Sequence, residues 1–144
     1  MDNKNLKIKI KKKNGNEIEG GFSLSVGNPH IIFFVENINE YDLKKIGPQI
    51  ENHEYFPKKC NVTFANIIDK NHIKVKVWER GAGLTKACGT AACATAVSAA
   101  SLKLANRSSD IEFEKGLIKI DWNLNNSIYM TGAVSKIKKI VVDL

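Results

Sequence analysis

The sequence is poor in cysteine and histidine, and it lacks a long apolar run. Its three cysteines, Cys60, Cys88 and Cys93, are an odd number without framework spacing, so we expect reduced thiols in a cytoplasmic setting. The three histidines are scattered along the chain, so neither a metal site nor a metal cofactor is expected. The longest stretch of low polarity, residues 87–101, is short and made of small side chains, which argues against a membrane span. No secretory signal is expected either.

Positive charge is distributed unevenly. The formal net charge is +7, and residues 1–13 contain six lysines against one acid. In an alternating sequence such as residues 6–13, this charge is typical of an edge strand protected from mispairing. A basic nucleic-acid adaptor is the alternative, but nucleic-acid surfaces more often carry interleaved aromatics or a known motif, and this segment has neither. We therefore expect no nucleic-acid partner.

The length favours one domain over residues 1–144. Asn14-Gly15 indicates a type I′ turn between the first two strands. A helix is expected over residues 39–55, with an apolar face from Leu43, Ile46 and Ile50 and a break at Gly47-Pro48, where proline would open a second segment. Alternating and β-branched runs predict strands near residues 6–12, 18–26, 31–36, 60–68, 73–80, 110–114, 117–123, 127–134 and 139–143.

A second helix, over residues 87–104, contains no charge before Lys103. A helix without a polar face is buried on all sides. Its side chains are nearly all small, so neighbouring strands can approach its backbone closely. The predicted fold class is therefore α/β in the α+β sense, with a curved mixed β-sheet wrapped around one central buried helix.

Cys88 lies where this helix is expected to begin. The first N–H groups of a helix have no partner within it, and the helix dipole adds partial positive charge there. Both effects favour a thiolate at Cys88, and they allow a carboxylate or phosphate to bind the N–H groups of Gly89 and Thr90. The plainer alternative is that Cys88 is a small buried residue, as most cysteines are. Cys60 and Cys93 are expected to be structural.

Five sequence blocks occur in one order: G-N-P-H at 27–30, G-P-Q-I-E-N-H at 47–53, N-V-T-F at 61–64, W-E-R-G-A-G-L-T-K-A-C-G-T at 78–90 and M-T-G at 130–132. Together they resemble the C-terminal half of the diaminopimelate epimerases. The resemblance implies one half of a two-domain fold and an isomerase that needs no cofactor. In that family one cysteine thiolate removes the α-proton and a second cysteine, on the opposite face, donates one. The reaction interconverts LL- and meso-diaminopimelate in lysine biosynthesis.

The resemblance also implies roles for residues around the helix start. Cys88 would be one of the two acid/base cysteines. The N–H groups of Gly89 and Thr90 would hold the α-carboxylate of the substrate. His30 and Glu79 correspond to residues that tune the proton affinity of that cysteine.

A second set of residues would recognise the far amino and carboxylate groups of the substrate. It comprises Asn28, Asn61, Glu79 and Arg80, and the planar guanidinium of Arg80 can bind two carboxylate oxygens at once. Each residue taken alone has a plainer interpretation. Asn28 precedes a proline and could be only a turn residue, and Glu79 and Arg80 could be an ordinary surface pair.

The C-G-N-G type motif of the family's first domain has no match here, and neither Cys60 nor Cys93 stands in a position to replace it. We expect this chain to require an N-terminal epimerase domain, supplied in cis or in trans, and to be inactive without it. A homodimer is a further partner that the resemblance allows.

Two other functions stay open on the sequence. A proline-racemase-like enzyme also uses two cysteines and a C-G-T turn, although G-N-P-H and W-E-R-G favour the diaminopimelate interpretation. A non-catalytic module would keep the carboxylate pocket and bind amino diacids without reaction.

Overall fold

The computed structural model describes residues 4–56, 59–85, 88–132 and 137–141. The helices are the 3₁₀ helix η1 (Ile38–Glu40), α1 (Leu43–Glu51) and α2 (Gly89–Ser101). The strands are β1 (Lys4–Lys11), β2 (Glu17–Ser25), β3 (Pro29–Phe34), β4 (Asn61–Asp69), β5 (His72–Glu79), β6 (Gly83–Thr85), β7 (Ser108–Phe113), β8 (Gly116–Trp122), β9 (Ser127–Thr131) and β10 (Ile137–Val141). None of the helices in these ranges is long and apolar enough to cross a membrane.

All of these strands belong to one mixed sheet. Its order is β1-β2-β3-β4-β5-β7-β8-β9-β10, and β6 pairs with β5 beside this path. The β3–β4 and β5–β7 pairs are parallel. A parallel pair requires a crossover connection, and the two crossovers contain α1 and α2 respectively.

Helix α2 is the central helix of the fold. Residues 91–99 are all buried, and the helix contacts β2, β3, β4, β7, β8 and β9. These strands extend from near one edge of the sheet to near the other, so the sheet curves around the helix. The predicted curved mixed sheet around one buried helix is confirmed.

Helix α1 covers the opposite face of the sheet. Alternate residues of β3 separate between the two faces: Ile32 packs with the α2 cluster, whereas Ile31 and Phe33 pack with the α1 cluster. The predicted apolar side chains of α1 are all buried there. The centre of the sheet is therefore covered on both sides.

The predicted break at Gly47-Pro48 is wrong, because α1 runs through both residues without interruption. The helix is also shorter than expected, since Tyr41 and Asp42 are extended and separate it from η1. Pro48 has no N–H to donate to the carbonyl of Lys44. Because Lys44 is on the exposed side of the helix, water can bind that carbonyl and the helix can continue through the proline. Gly47 is required for packing: a Cβ there would overlap the indole ring of Trp78.

The predicted type I′ turn is also wrong. Gly15 has a φ of +90°, but Asn14 has no positive φ, and a type I′ turn needs positive φ at both central residues. The Gly15 N–H donates to the Lys12 carbonyl at 3.0 Å, and the Lys12 N–H donates to the Asn16 carbonyl at 2.7 Å. This is a three-residue hairpin in which glycine forms a bulge.

Helix α2 ends three residues before the predicted position. Its last residue is Ser101, and Lys103 adopts the left-handed conformation with a φ of +61°. The Leu104 N–H donates to the Ala99 carbonyl at 2.8 Å, and the Lys103 N–H donates to the Ala100 carbonyl at 3.0 Å. These two bonds form a Schellman motif, which satisfies carbonyls that the helix end leaves without partners. The predicted start at residue 87 lies outside the described residues.

Replacing Gly47 with alanine should destabilise the fold by about 1–3 kcal/mol, the usual cost of overpacking a filled core, because the indole of Trp78 or helix α1 would have to move. Urea unfolding measures this change. Gly20→Ala is the matched control, since a Cβ there meets nothing within 4 Å, and we expect its stability to be unchanged or slightly raised. Equal stabilities of the two variants would contradict the contact between Trp78 and Gly47.

Candidate functional site

Strands β3, β4 and β5 bring three of the predicted site residues into one row. His30 lies opposite Asn61 in the parallel β3–β4 pair. Val62 lies opposite Trp78 in the antiparallel β4–β5 pair, so the next step of that register places Asn61 beside Glu79. The row crosses the sheet where β3 and β4 begin and β5 ends.

The three side chains of this row point to the α2 face of the sheet. Side chains alternate between faces along a strand, and Ile31, Val62 and Trp78 all pack with the α1 cluster. The adjacent residues His30, Asn61 and Glu79 therefore face the other side, towards α2. Two of them are buried, whereas Glu79 is half-buried.

Hydrogen bonds tie this row to the neighbouring loops. The Asn61 side-chain amide donates to the Pro29 carbonyl at 3.4 Å, and its Oδ1 accepts from the Arg80 backbone N–H at 2.6 Å. Asn28 Oδ1 lies 3.1 Å from His30 Nε2. We call Asn28, His30, Asn61, Glu79 and Arg80 the strand-end cluster. The contact to Asn61 uses the backbone N–H of Arg80, which is an exposed residue.

His30 is fully buried, with 0% of its surface exposed. Burial first, and the positive charge of Arg80 second, lower the pKa of His30 to about 4, so the imidazole is neutral at pH 7. Because the oxygen of Asn28 accepts a hydrogen bond, the ring proton is placed on Nε2. Nδ1 is then an acceptor, and it is buried without a hydrogen-bond partner among the described residues.

Cys88 is the N-cap of α2 and precedes its first helical residue. Its backbone is extended, with φ −151° and ψ 113°, and its carbonyl accepts the first intrahelical bond from Ala92 at 3.0 Å. The residue is half-buried. Its Sγ lies 3.5 Å from Thr90 Oγ1, but within this turn the thiol caps no backbone N–H. The N–H groups of Gly89 and Thr90 are thus left to other acceptors.

Met130 covers the first turn of α2, a contact that the sequence did not predict. A Cβ on Gly89 would lie 3.1 Å from the Sδ of Met130 and 3.2 Å from its Cε. Glycine therefore lets the thioether of β9 approach the helix backbone beside Cys88. In the sequence, Met130 was notable only as a member of the M-T-G block, which did not indicate its contact with Gly89.

The other two cysteines are enclosed by the protein, with 0% of each residue exposed. Burial and then the charge of Glu51 raise the pKa of Cys60 to about 12. Burial and then the proximity of Cys88 raise the pKa of Cys93 to about 12. Both thiols are protonated near neutral pH, in agreement with their predicted structural role.

No hydrogen bond between described residues joins Cys88 to His30 or to Glu79, so we describe the strand-end cluster and the Cys88 turn as two groups. Residues 86 and 87, in the connection between the two groups, lie outside the described ranges. The first group contains the neutral, buried imidazole of His30 with the side-chain amides of Asn28 and Asn61. The second contains the half-exposed thiol of Cys88 at the start of α2.

Comparison with known proteins identifies relatives of this chain. A sequence model of the family described as diaminopimelate epimerase matches residues 22–137. The diaminopimelate epimerase of Pelagibacter ubique (strain HTCC1062) is 58% identical over 144 residues, which are 100% of this chain and 53% of that protein. That of Rhodopseudomonas palustris (strain TIE-1) is 53% identical over 110 residues, covering 76% of this chain and 38% of that protein. The chain thus spans about half the length, or less, of these curated relatives.

A solved structure shares the fold at low sequence identity. The Bacillus anthracis phenazine biosynthesis protein of the PhzF family matches with a TM-score of 0.53 and 17% identity. The match covers 92% of this chain and 40% of that chain. At this identity the likeness supports the architecture alone.

The lowered pKa of His30 predicts a loss of stability in acid. The unfolded chain takes up the proton near pH 6.5 and the folded chain only near pH 4, so the stabilisation is present above pH 6.5 and is lost as the pH falls towards 4. The full difference is on the order of 3 kcal/mol. Unfolding free energies measured between pH 7 and pH 4 should therefore fall less steeply in His30→Gln than in the wild type. A slope in His30→Gln equal to that of the wild type would contradict the assignment.

Proposed function

Because the chain belongs to the diaminopimelate epimerase family, we propose that it forms the C-terminal half of an active site that inverts an α-carbon of diaminopimelate without a cofactor. The observation that carries the proposal is the position of Cys88. It is half-exposed at the start of α2, whereas Cys60 and Cys93 are buried and protonated. Cys88 is thus the one cysteine of the three that is placed to exchange a proton with a ligand.

In the proposed reaction the Cys88 thiolate takes the α-proton of the substrate. The electron pair left on the carbon delocalises into the adjacent carboxylate, and a second thiol returns a proton to the opposite face. Cys88 is then a thiol and the second cysteine a thiolate, so the reverse direction uses the same groups with their roles exchanged. Atoms and charge balance without an oxidant or a cofactor.

The first turn of α2 supplies the carboxylate site in this proposal. Helix N–H groups stabilise negative charge that increases as the α-proton leaves. Gly89 and Thr90 provide these groups immediately beside Cys88, where the thioether of Met130 also packs against the backbone of Gly89. The carboxylate and the reacting carbon are therefore held next to the same sulfur.

We assign the strand-end cluster to the far end of the substrate. Asn28, Asn61, Glu79 and Arg80 offer amide, carboxylate and guanidinium groups that match an ammonium and a carboxylate. We also assign His30 and Glu79 to tuning the proton affinity of Cys88, as their match to the family's sequence blocks implies, with His30 present as a neutral imidazole.

The second base of the proposed reaction must come from outside residues 1–144. Inversion needs a base on one face of the α-carbon and an acid on the other, and the full burial of Cys60 and Cys93 keeps both thiols from contact with a ligand. We therefore propose an N-terminal epimerase domain as the partner, in cis or in trans, and no inversion by these residues alone. The three free thiols suit a reducing compartment such as the cytoplasm.

Thiol alkylation tests the state of Cys88 without requiring turnover. At pH 8 a thiol with a pKa of about 12 is ionised in roughly one molecule in ten thousand, so iodoacetamide should modify Cys88 long before Cys60 or Cys93. Peptide mass spectrometry at successive times measures each site. Millimolar diaminopimelate should slow the modification of Cys88. Glutathione, a small exposed thiol, is the control, and its rate of modification should not change when diaminopimelate is added. Modification of the native protein at Cys60 or Cys93 first would exclude Cys88 as the reactive thiol.

Reconstitution tests the complete proposal. The chain alone should give no inversion of diaminopimelate and no sustained incorporation of deuterium at its α-carbon in D₂O. Addition of the N-terminal half of the Pelagibacter ubique relative should restore both. Cys88→Ala should then lower the restored rate by about 10² to 10⁴, the usual contribution of an acid/base group.

Cys93→Ala is the matched control for that experiment, because it makes the same substitution five residues further along the chain, at a buried position within α2. It should keep the restored rate within a few-fold, as judged on protein that still unfolds cooperatively. Inversion by residues 1–144 alone would refute the two-half arrangement. Tight binding of diaminopimelate with no exchange in the reconstituted protein would favour the non-catalytic binding module instead.

A further inference from the structure

A basic groove lies between β1 and α1, outside the site described above. It encloses a cavity of about 610 Å³. We call it the β1–α1 groove. Its lining residues lie in two segments of the chain: residues 9–17, from β1 through the hairpin to the start of β2, and residues 42–49 at α1. Its lining includes five lysines: Lys9, Lys11, Lys12, Lys13 and Lys45.

The backbone of β1 has hydrogen-bonding groups available along this groove. In the described sheet β1 is the first strand and pairs only with β2. The Lys12 N–H donates to the Asn16 carbonyl, and hydrogen-bonded and non-bonded pairs alternate along an antiparallel ladder. Ile10 therefore bonds to β2, whereas Lys9 and Lys11 direct their N–H and C=O groups outwards. A further strand could pair with these two residues without disturbing β2.

The shape of the groove suits a strand more than a small ligand. One wall is a sheet edge and the other is a helix, the arrangement in which extended peptides bind by adding a strand. Ile10 and Ile46 are buried at its base and provide an apolar floor for alternate side chains of an added strand. The exposed amide of Gln49 lies at the rim.

The charge of the groove selects among strands. Against the five lysines the lining contains two acids, Glu17 and Asp42. Lys12 is paired with Glu40 at 3.3 Å, and Lys9 and Lys11 lie opposite Glu19 and Glu17 of β2. Apart from Lys12, the lysines of the groove are on exposed residues. A second copy of β1 would place lysine opposite lysine, which is unfavourable, whereas carboxylates opposite these lysines are favourable.

We propose that the β1–α1 groove binds an acidic, extended peptide segment of a partner protein, added to the sheet as a strand beside β1. The lysines that keep neutral or basic strands away from this edge attract a strand of the opposite charge. The inference is independent of the proposed epimerase function, because the groove contains none of the residues assigned to that reaction.

Fluorescence anisotropy tests the proposal. The labelled peptide has about eight residues, a length that strands reach, and alternates glutamate and valine. The peptide should bind saturably and more weakly as salt is raised. The same peptide with lysine in place of glutamate should not bind. Equal binding of the two peptides, or no binding of the acidic one, would overturn the proposal.

Backbone methylation separates strand pairing from simple charge attraction. One acidic peptide is N-methylated at its odd positions and another at its even positions, so both keep the same charge and sequence. Pairing with Lys9 and Lys11 uses every second N–H of the peptide. One of the two peptides should therefore lose binding at least tenfold, and the other should retain it. Equal affinities would overturn the proposal.

Variants of the chain locate the site. Lys11→Pro removes an outward N–H but no bond to β2, and proline is tolerated on edge strands, so the acidic peptide should lose affinity while the thermal midpoint changes little. Lys45→Glu should weaken binding from the helix side. Lys74→Glu, at an exposed residue of β5 outside the groove, is the matched control and should bind as the wild type does. The proposal fails if Lys74→Glu reduces the affinity for the acidic peptide as much as Lys45→Glu does. It also fails if a single-stranded oligonucleotide displaces the peptide equally from Lys11→Pro and from the wild type. Either result would mean that the peptide is held only by general charge attraction.

Discussion

Burial of helix α2 is the constraint on which the rest of the structure depends. A helix without a polar face has no side that water can cover, so the sheet must surround it, and the small side chains of residues 91–99 allow strands from both halves of the sheet to reach it. The backbone at its ends still needs partners. At the C-terminal end the Schellman motif around Lys103 provides them within the chain. At the N-terminal end, residues 88–90 are half-buried and the thiol of Cys88 caps no backbone N–H, and in the proposed function the carboxylate of the substrate is the acceptor.

The same enclosure explains why the three cysteines differ so much. Cys93 lies five residues into the buried helix and Cys60 lies under α1, so both are surrounded by apolar contacts and hold their protons. Cys88 stands one residue outside the helical segment, at the boundary between the core and the surface. Its chemistry is therefore a consequence of where the apolar segment stops, which is a property of the sequence as much as of the fold.

The features that were predictable from sequence are those set by composition over many residues. The absence of charge in α2 predicted its burial and the curvature of the sheet, and the nine strands predicted from alternating and β-branched runs correspond to β1–β5 and β7–β10. The features that were not predictable depend on distant contacts. Gly47-Pro48 has the local pattern of a helix break, but the glycine is there to accommodate Trp78, a neighbour from β5.

Local signals also failed where two conformations suit the same residues. Asn14-Gly15 is compatible with both a type I′ turn and the bulged hairpin that forms, and the choice depends on how β1 and β2 twist. Strand β6 has only three residues and is defined by its pairing with β5, so no periodicity could reveal it. For the candidate site, ordered sequence blocks identified residues that lie in two groups in the fold. The contact of Met130 with Gly89 joins β9 to the start of α2, and no local pattern in the sequence predicts it.

The side-chain amide of Asn61 bonds the chain at both Pro29 and Arg80, and this has a mechanical consequence. The segment entering β3 and the segment leaving β5 are far apart in sequence, yet one planar group spans them and fixes their separation. The two hydrogen bonds therefore oppose a change in the separation of the two loops. A molecule that moved the backbone of Arg80 would have to stretch or break a bond of Asn61, the residue opposite His30 in the sheet.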